Sequence, residues 1–275
     1  GSPDAWGRRV IEARLAVPDN SLREIDYLLA SGSNRFGALD FQASADRYLP
    51  RAEEAALDEL VEAVDLLHAG RELGRVLDEA LLHGTSIGGA RPKVLVRDQV
   101  DGTEWIGKLS AASDVLPVVN AEAAGLELAR RAGIDVPDFR LTRSMGRDVL
   151  LVKRFDRGHD GTRRHVVSGL TLVGLDEMVA RYATYPAMLD VLRGLEAEAG
   201  RAGPELFSRI ALNIAIGNND DHARNHAALW DGASLTLAPA YDLAPGARSG
   251  ETSAQAMAFD YDGRVRESQF AALLA

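Results

Sequence analysis

A polar loop, a short hairpin and an aspartate follow one another in the last quarter of the chain, and their order constrains how the chain folds there. The loop covers residues 218–225, and the apolar segments 227–230 and 234–237 follow it on either side of an Asp-Gly pair. Asp-Gly between two apolar segments is a strong hairpin signal. Because a hairpin reverses the chain, Asp242 is predicted to return beside the loop.

The residue types in this loop match the requirements of phosphoryl transfer. Asp220 and Asn225 are five positions apart, and Asp242 follows the hairpin. Protein kinases use an Asp and an Asn at this spacing, and a later Asp, as base and metal ligands. Mg²⁺ requires hard oxygen donors. Asp220 is therefore the predicted base, and Asn225 and Asp242 are the predicted metal ligands.

Two other interpretations of this loop stay open at the level of sequence. Asn and Asp often occupy turns only to satisfy backbone groups. His222 and His226 are four positions apart, as in metalloprotease helices, although no glutamate follows His222. A plain polar turn and a metal-hydrolase site are therefore the alternatives.

A glycine-rich segment and a lysine-bearing strand lie upstream in the order that a nucleotide site requires. Residues 84–93 read Gly-Thr-Ser-Ile-Gly-Gly-Ala-Arg-Pro-Lys and lead into an apolar run. Backbone amides can approach a phosphate where glycine has no Cβ. A turn at 99–102 then precedes a strand over 104–109. Because a lysine among apolar neighbours is costly unless it meets an anion, Lys108 is predicted to contact phosphate.

A helix is predicted after this strand. Asn120 is its expected cap, the helix runs from about residue 121 to residue 131, and Gly133 ends it. Glu122 lies in its first turn, where its carboxylate either pairs with Lys108 or complements the helix N-terminus.

The order of helical and strand patterns predicts an α+β fold with two lobes. Residues 1–82 are mainly helical, and residues 83–155 alternate strands with one helix, as a nucleotide-binding lobe would. The strand that ends this part, over 149–157, emerges into polar residues, where a hinge would offer backbone groups to adenine. Residues 156–275 form a mainly helical lobe. The predicted boundary lies between residues 155 and 156.

Several helices have recognisable ends in the sequence. A capping box starts at Ser21, and an apolar repeat of helical period covers 52–67. Residues 186–195 and 204–216 are predicted helices of the second lobe. Asn213 in the last of these either anchors the polar loop or is a satisfied polar residue of the core, and the second interpretation is favoured.

Together these segments resemble the HipA family of serine/threonine kinases, the toxins of two-gene toxin–antitoxin modules. The resemblance extends over roughly residues 3–262 and implies a two-lobed, protein-kinase-like fold. It rests on five segments in the family's order, namely 84–93, the Lys108 strand, 152–157, 218–225 and 239–242.

The resemblance implies roles for individual residues. Asp220 matches the catalytic base, Asn225 and Asp242 match the Mg²⁺ ligands, and Ser86 matches a serine whose autophosphorylation ejects the glycine-rich loop. A dianionic group on a loop that holds phosphates would repel ATP, and neighbouring Thr85 is the alternative acceptor. The residues implied for ATP binding are Gly88, Gly89, Ala90, Arg91, Pro92, Lys93, Lys108, Lys153, Phe155, His222, Asn225, Tyr241 and Asp242.

The resemblance also implies cofactors and partners. ATP and Mg²⁺ are the expected cofactors, and a helix-turn-helix antitoxin of the HipB type is the expected partner. Aminoacyl-tRNA synthetases are a known target class of the family. Relatives usually carry a small β-rich subdomain before this stretch and further helices after it, so a fragment or a short member is expected. A small-molecule or lipid phosphotransferase and a non-catalytic antitoxin-binding module are the alternatives.

The composition limits the class of protein and its expected compartment. The chain has 275 residues, of which 46% are hydrophobic, which is enough for a substantial core. No apolar run reaches the ~20 residues of a membrane span, and no signal peptide is evident, so a cytoplasmic protein is expected. The absence of Cys excludes disulfides, thiolate metal sites and cysteine nucleophiles. A formal net charge of −10 disfavours direct binding to nucleic acid.

Overall fold

A computed structural model describes residues 2–51, 57–68, 93–110, 114, 116–158, 160–247 and 253–274. The chain divides into two compact units. The first unit comprises residues 1–119 and 139–163, and the second comprises residues 120–138 and 164–275. This division is less simple than two consecutive lobes, because residues 120–138 belong to the second unit although they precede the last strands of the first.

An antiparallel sheet of four strands is the centre of the first unit, in the order β1-β2-β4-β3. Alternate residues face a core formed with two helices, because successive side chains of a strand point to opposite faces. Val94, Val149 and Leu151 lie on this covered face. The strands are β1 (Lys93–Arg97), β2 (Glu104–Leu109), β3 (Phe139–Ser144) and β4 (Arg147–Lys153).

Among the residues described before the sheet, three segments are helical. They are α1 (Ala5–Leu15), α2 (Glu24–Ala30) and α3 (Leu57–His68). Helix α3 confirms the apolar repeat, while residues 52–56 lie outside the described ranges. Residues 31–51 contain no helix, and their backbone turns through Gly37 at a φ of 84°.

The capping box predicted at Ser21 is wrong. Helix α2 has Arg23 as its N-cap, and the backbone N–H of Arg23 donates to Asp26 Oδ2 at 3.1 Å. The backbone N–H of Ser21 instead donates to the Pro18 carbonyl oxygen within a preceding turn. The acidic residue at the third helical position therefore decides where the helix begins.

Helices dominate the second unit, as predicted. They are α4 (Val118–Arg131), α5 (Gly169–Leu172), α6 (Tyr185–Leu195), α7 (Ala202–Ile216) and α8 (Phe270–Leu274), and α4 belongs to this unit from Asn120 onward. Short 3₁₀ helices cover Glu177–Tyr182 and Ala223–Asn225. The core packs Met188, Leu192, Leu206, Ile210 and Ile214 together.

Helix α4 begins earlier than predicted, so Asn120 is not its cap. The helix starts directly after Pro117. Proline is favoured at the start of a helix because the N–H that it lacks would have no helical partner there. The predicted end is confirmed at Gly133, whose φ is 78°.

The predicted hairpin is present in a three-stranded antiparallel sheet of β5 (His165–Ser168), β6 (Ala227–Trp230) and β7 (Leu235–Leu237). Its turn is longer than an Asp-Gly pair, since Trp230 pairs with Leu235. Asp231 Oδ1 accepts hydrogen bonds from the backbone N–H groups of Ala233 and Ser234 at 2.8 and 2.7 Å. These bonds lower the pKa of Asp231 to about 2.

No helix within the described ranges has both the length and the apolar character needed to cross a membrane.

Candidate functional site

The polar loop starts at the end of helix α7. Gly217 closes the helix in the left-handed region, at a φ of 71°. The backbone N–H and the side-chain Nδ2 of Asn218 then donate to the backbone oxygen and Oδ1 of Asn213, both at 2.9 Å. Asn213 is only 1% exposed. Asn213 thus anchors the loop, although the sequence favoured a simple polar core residue, and the first residue of the loop is fixed to the helix.

Hydrogen bonds within the loop converge on one carbonyl. The backbone N–H of His222 and the side-chain Nδ2 of Asn225 donate to the Asp220 carbonyl oxygen at 2.9 and 3.0 Å. The Asn225 side chain is buried, and this bond fixes which way its amide group points. Its Oδ1 accepts no hydrogen bond from the described residues and is the atom suited to a hard cation.

The far end of the loop is held by helix α5. The backbone N–H of Gly169 donates to the His226 carbonyl oxygen at 2.7 Å. A Cβ on Gly169 would lie 2.6 Å from the Ala223 carbonyl oxygen, so the loop backbone approaches α5 too closely for any larger residue.

Two consecutive aspartates have opposite environments. The Asp220 side chain is exposed, and among the described residues nothing donates a hydrogen bond to its carboxylate or pairs with it. Asp221 is 2% exposed and accepts a 2.7 Å hydrogen bond from the Tyr185 hydroxyl. His226 Nε2 lies 2.9 Å from Asp221 Oδ1, at the distance of an ion pair but without the alignment of a hydrogen bond.

The electrostatics of this buried group stabilise a charged Asp221. Burial tends to raise the pKa of Asp221, but the neighbouring His226 ring and the Tyr185 hydroxyl outweigh it, so the pKa lies below its usual value. Burial and the Asp221 charge raise the pKa of Tyr185 well above 10. Asp221 therefore anchors the loop, whereas Asp220 presents its carboxylate to solvent.

Tyr185→Phe is expected to lower the free energy of unfolding by about 1.5–3 kcal/mol, because a buried carboxylate loses a hydrogen bond from its only hydroxyl donor among the described residues. Urea unfolding monitored by circular dichroism measures the change. Tyr48→Phe is the matched control, since Tyr48 is 56% exposed. Equal unfolding midpoints for the two variants would contradict the anchoring role of Tyr185.

Asp242 returns beside the loop, as predicted from the hairpin. Its carbonyl oxygen accepts from Asn218 Nδ2 at 3.4 Å, and the Tyr241 hydroxyl donates to the Arg224 carbonyl oxygen at 2.8 Å. Asp242 has a φ of 60°, a value that is uncommon outside glycine. Its carboxylate is half-buried. Asp242 and Asn225 thus contribute two oxygen donors from one region of the second unit.

The close approach of helix α4 fixes the backbone after Asp242. A Cβ on Gly125 would lie 1.9 Å from the Leu243 carbonyl oxygen and 3.1 Å from Pro245 Cδ. Such contacts leave room only for glycine. The backbone at Leu243 is therefore locked against α4 directly after the half-buried aspartate.

The metal-hydrolase alternative finds no support. His222 and His226 do not share an α-helix, because the chain between them forms a 3₁₀ turn before β6. In the part of the chain that the structure describes, no group of three or more His, Asp or Glu side chains converges as a metal site. Asn225 and Asp242 instead fit a cation that obtains its remaining oxygens from a bound substrate or water.

In the first unit, two lysines share one face of the sheet. Lys93 pairs directly with Lys108 across β1 and β2, so both side chains lie on the same face. Val94 and Leu109, their neighbours in the strands, face the core with α1 and α3. The lysines therefore point away from that core. Two positive charges on one sheet face suit a phosphate group.

Lys153 lies on the other face of the same sheet. It pairs with Trp105, which is three residues from Lys108 and so has the opposite orientation. Phe155 packs edge-to-face against Phe36, with ring centroids 5.3 Å apart. If the nucleotide lies on the face that carries Lys93 and Lys108, Lys153 can contact it only through its backbone groups. The nucleotide contact of Lys153 therefore stays a prediction.

A buried ionic network fixes the chain beyond β4. The Arg154 and Asp156 side chains are fully buried and form a 2.7 Å ion pair. Arg157 also contacts Asp156, and burial, together with nearby Arg154, lowers the pKa of Arg157 to about 10. Asp156 accepts in addition from the backbone N–H of Gly37 at 2.6 Å. The segment predicted as a hinge is therefore tied to the N-terminal segment of its own unit.

Some predicted residues cannot be placed. Residues 85–92, which include the glycine-rich loop and Ser86, lie outside the described ranges. The predicted residues that the structure brings together in the second unit are Asp220, His222, Asn225, Tyr241 and Asp242. Tyr185, Asp221 and Gly125 were not predicted, and no local motif marks them, since their partners are distant in sequence.

Comparisons with known proteins agree with this arrangement. A protein of Sinorhizobium fredii (strain NBRC 101917 / NGR234) named “Putative kinase Y4mE” is 29% identical over 131 residues, which are 44% of this chain and 31% of that protein. This chain thus spans about a third of the length of that relative.

Two solved structures share the fold. HipA from the complex of the Shewanella oneidensis MR-1 toxin–antitoxin system HipA, HipB and operator DNA has a TM-score of 0.68 at 19% identity, covering 94% of this chain and 66% of its own. The Helicobacter pylori proinflammatory kinase CtkA has a TM-score of 0.52 at 13% identity, covering 66% of this chain and 70% of its own. The predicted α+β, protein-kinase-like fold is confirmed.

The family model described as HipA-like C-terminal domain matches residues 85–274, which is well over half of the sequence. The matched range contains the lysine strand, the polar loop and Asp242. The chain therefore belongs to the HipA-like C-terminal domain family.

Proposed function

We propose that this chain transfers the γ-phosphoryl group of ATP to a serine or threonine hydroxyl of a protein, with Mg²⁺ as the metal cofactor. The observation that carries the proposal is the exposed Asp220 carboxylate on a loop in which the side chains of Asn218, Asp221 and Asn225 are held by hydrogen bonds. The Asp220 carboxylate is unpaired among the described residues, and the loop that carries it is held by hydrogen bonds. Such a carboxylate is suited to accept a hydrogen bond from a substrate hydroxyl.

Asp220 acts on the acceptor hydroxyl in this proposal. Its carboxylate accepts a hydrogen bond from the hydroxyl and orients the oxygen toward the γ-phosphorus. As the new O–P bond forms and the bond to the ADP oxygen breaks, the hydroxyl proton passes to Asp220 and from there to solvent. The buried Asp221 keeps the loop backbone in place during this step.

The remaining residues bind and neutralise the nucleotide. Asn225 Oδ1 and the Asp242 carboxylate hold Mg²⁺, which when bound offsets the negative charge of the phosphates. Lys108 and Lys93 contact phosphate from the sheet, and residues 88–92 cover it from the glycine-rich loop. His222 and Tyr241 lie close to the nucleotide, and Phe155 and the backbone of Lys153 line its adenine end.

Partners follow from the family. A helix-turn-helix antitoxin of the HipB type is the proposed partner, and the support is the fold shared with HipA of the Shewanella complex with HipB and operator DNA. An aminoacyl-tRNA synthetase is the proposed class of acceptor protein, and the cytoplasm is the proposed compartment. Ser86 on the glycine-rich loop is the proposed site of autophosphorylation.

Incubation of the purified chain with Mg²⁺ and γ-labelled ATP is expected to place label on Ser86, with Thr85 as the other candidate. Mass-spectrometric mapping identifies the site, and Ser86→Ala and Thr85→Ala distinguish the two hydroxyls. Loss of label in Ser86→Ala alone supports the assignment. If ATP binds but no protein hydroxyl is labelled, while a metabolite is, the chain is a small-molecule phosphotransferase instead.

A further inference from the structure

A pocket of about 430 Å³ lies in the second unit, on a surface to which the proposed reaction assigns no role. One wall comes from the 3₁₀ helix Glu177–Tyr182, and the other comes from the turn that precedes helix α8. The residues that line it are Arg181, Tyr182, Tyr261, Asp262, Gly263 and Arg266.

The residues that line the pocket include two arginines and one acid, although the chain as a whole has a net charge of −10. A second carboxylate, that of Asp190, accepts a 2.7 Å hydrogen bond from the Tyr261 hydroxyl. No carboxylate of the described residues lies within ion-pair distance of Arg181 or Arg266. Asp262 is the only acid in the lining, and its carboxylate lies 3.8 Å from Arg264. An anionic group is therefore the ligand class that the charge of the pocket favours.

The two arginines have different tasks. The guanidinium of Arg266 donates to the carbonyl oxygens of Gly263, Ala256 and Arg181, so it holds both walls together. Arg181 is exposed and lies over the Tyr182 ring at 4.8 Å, with one donor on the Tyr182 hydroxyl at 2.9 Å. A guanidinium has five N–H donors, and this contact uses one. Arg181 therefore has donors left for a carboxylate.

Three contacts connect the pocket with the polar loop. Ala256, which accepts from Arg266, donates its own N–H to the Asn219 carbonyl oxygen at 3.0 Å. Glu177, in the same 3₁₀ helix as Arg181, pairs with Arg224 of the loop at 2.5 Å. Tyr185, which bonds Asp221, lies three residues after the end of that 3₁₀ helix. The pocket and the loop that carries the proposed base are therefore directly connected by hydrogen bonds.

These contacts also limit the distance between the pocket and Asp220. The path from the Arg266 guanidinium through Ala256 and Asn219 to the Asp220 Cα is at most about 12 Å, and an extended peptide covers roughly 3.3 Å per residue. The Arg266 side of the pocket therefore lies within roughly four extended residues of Asp220, close enough for one acceptor peptide to contact both.

We propose that this pocket binds an acidic side chain of the protein acceptor, on the same peptide segment as the hydroxyl that receives the phosphoryl group. This assignment rests on the proposed function and names the acceptor class of the same site. Arg181 is the residue that contacts the carboxylate, and the Tyr182 and Tyr261 rings flank the peptide backbone.

A peptide binding assay tests the pocket without any chemistry. The probes are fluorescent serine peptides in which one glutamate is moved stepwise to either side of the serine, each beside its glutamine counterpart. The Asp220→Ala chain is expected to bind at least one glutamate peptide more tightly than its glutamine counterpart. Arg181→Glu in that background is expected to weaken this binding about tenfold, since charge reversal replaces attraction with repulsion.

Arg201→Glu is the matched control, because Arg201 is an exposed arginine of the same unit whose side chain pairs only with exposed Glu198 among the described residues. Its affinity for the peptide is expected to equal that of the parent. Equal losses in both variants, or tighter binding of lysine peptides than of glutamate peptides, would overturn the pocket assignment.

The same assay separates this proposal from the proposed function. Phosphoryl transfer to serine peptides that is indifferent to glutamate and to Arg181→Glu overturns the pocket and leaves the kinase standing. Arg181-dependent binding of glutamate peptides, with no transfer to any protein hydroxyl by the wild-type chain, supports the pocket and overturns the kinase.

Discussion

Asp220→Asn is expected to slow phosphoryl transfer by about 10²–10⁴-fold, the usual contribution of a positioned general base. The asparagine side chain keeps the shape of aspartate but cannot accept the hydroxyl proton. Because the Asp220 carboxylate is exposed and makes no bond to the described residues, the free energy of unfolding is expected to stay within about 0.5 kcal/mol of the wild type. The rate constant kcat with saturating ATP and urea unfolding measure the two quantities.

Asp221→Asn is the matched control for that experiment, since the same change is made one residue further along the chain. Asp221 is buried and bonded to Tyr185, so its replacement is expected to lower the free energy of unfolding by about 1–3 kcal/mol. Below its unfolding transition, this variant is expected to retain far more activity than Asp220→Asn. The opposite pattern, with Asp221 essential for kcat and Asp220 important only for stability, would exchange the roles assigned to the two residues.

The contrast between these neighbours shows what a sequence can predict about the site. The loop, the hairpin and the return of Asp242 follow from local chemistry, because turn residues and apolar segments lie next to one another in the chain. The spacing of Asp220 to Asn225 also predicts Asp220 as the reactive carboxylate, and the structure adds that its side chain is exposed. It contained no sign that Asp221 would be buried, because Tyr185 lies 36 residues away and a tyrosine before a proline has many possible partners.

Helix boundaries were the least predictable part of the fold. Helix α2 begins after Arg23 because Asp26 bonds the Arg23 backbone, and α4 begins after Pro117 although Asn120 is a good capping residue. Several residues near each boundary are competent caps, and small energy differences among them decide the outcome. The close contact of Gly125 with the Leu243 backbone could not be predicted from the sequence either. In a sequence, a glycine inside a helix indicates only a lower helix stability. The structure shows that a carbonyl oxygen lies against Gly125.

Gly125→Ala is expected to disable the site from a position outside it. Alanine in a helix interior ordinarily stabilises a protein by about 0.5–1 kcal/mol relative to glycine. Here the added methyl group would lie 1.9 Å from the Leu243 carbonyl oxygen, which belongs to the backbone and cannot rotate away. Either α4 or the segment after Asp242 must shift, and such overpacking costs about 1–3 kcal/mol.

The shift also reaches a proposed metal ligand. Leu243 follows Asp242 directly, and the Asp242 carbonyl oxygen is bonded to Asn218 at the start of the polar loop. A displacement of about 1 Å in a reacting group can cost about 10²-fold in rate. Gly125→Ala is therefore expected to lower kcat by about that factor, with the free energy of unfolding reduced at the same time.

Gly194→Ala separates this effect from helix propensity. Gly194 lies in helix α6 of the same unit, and no atom lies within 4 Å of an added Cβ. This variant is expected to gain about 0.5–1 kcal/mol in unfolding free energy and to keep full activity. If Gly125→Ala gained stability in the same way, α4 would not approach Leu243 as closely as the structure shows. If it lost stability but kept kcat, the position of Asp242 would not depend on α4, and the coupling between the helix and the metal ligand would be absent.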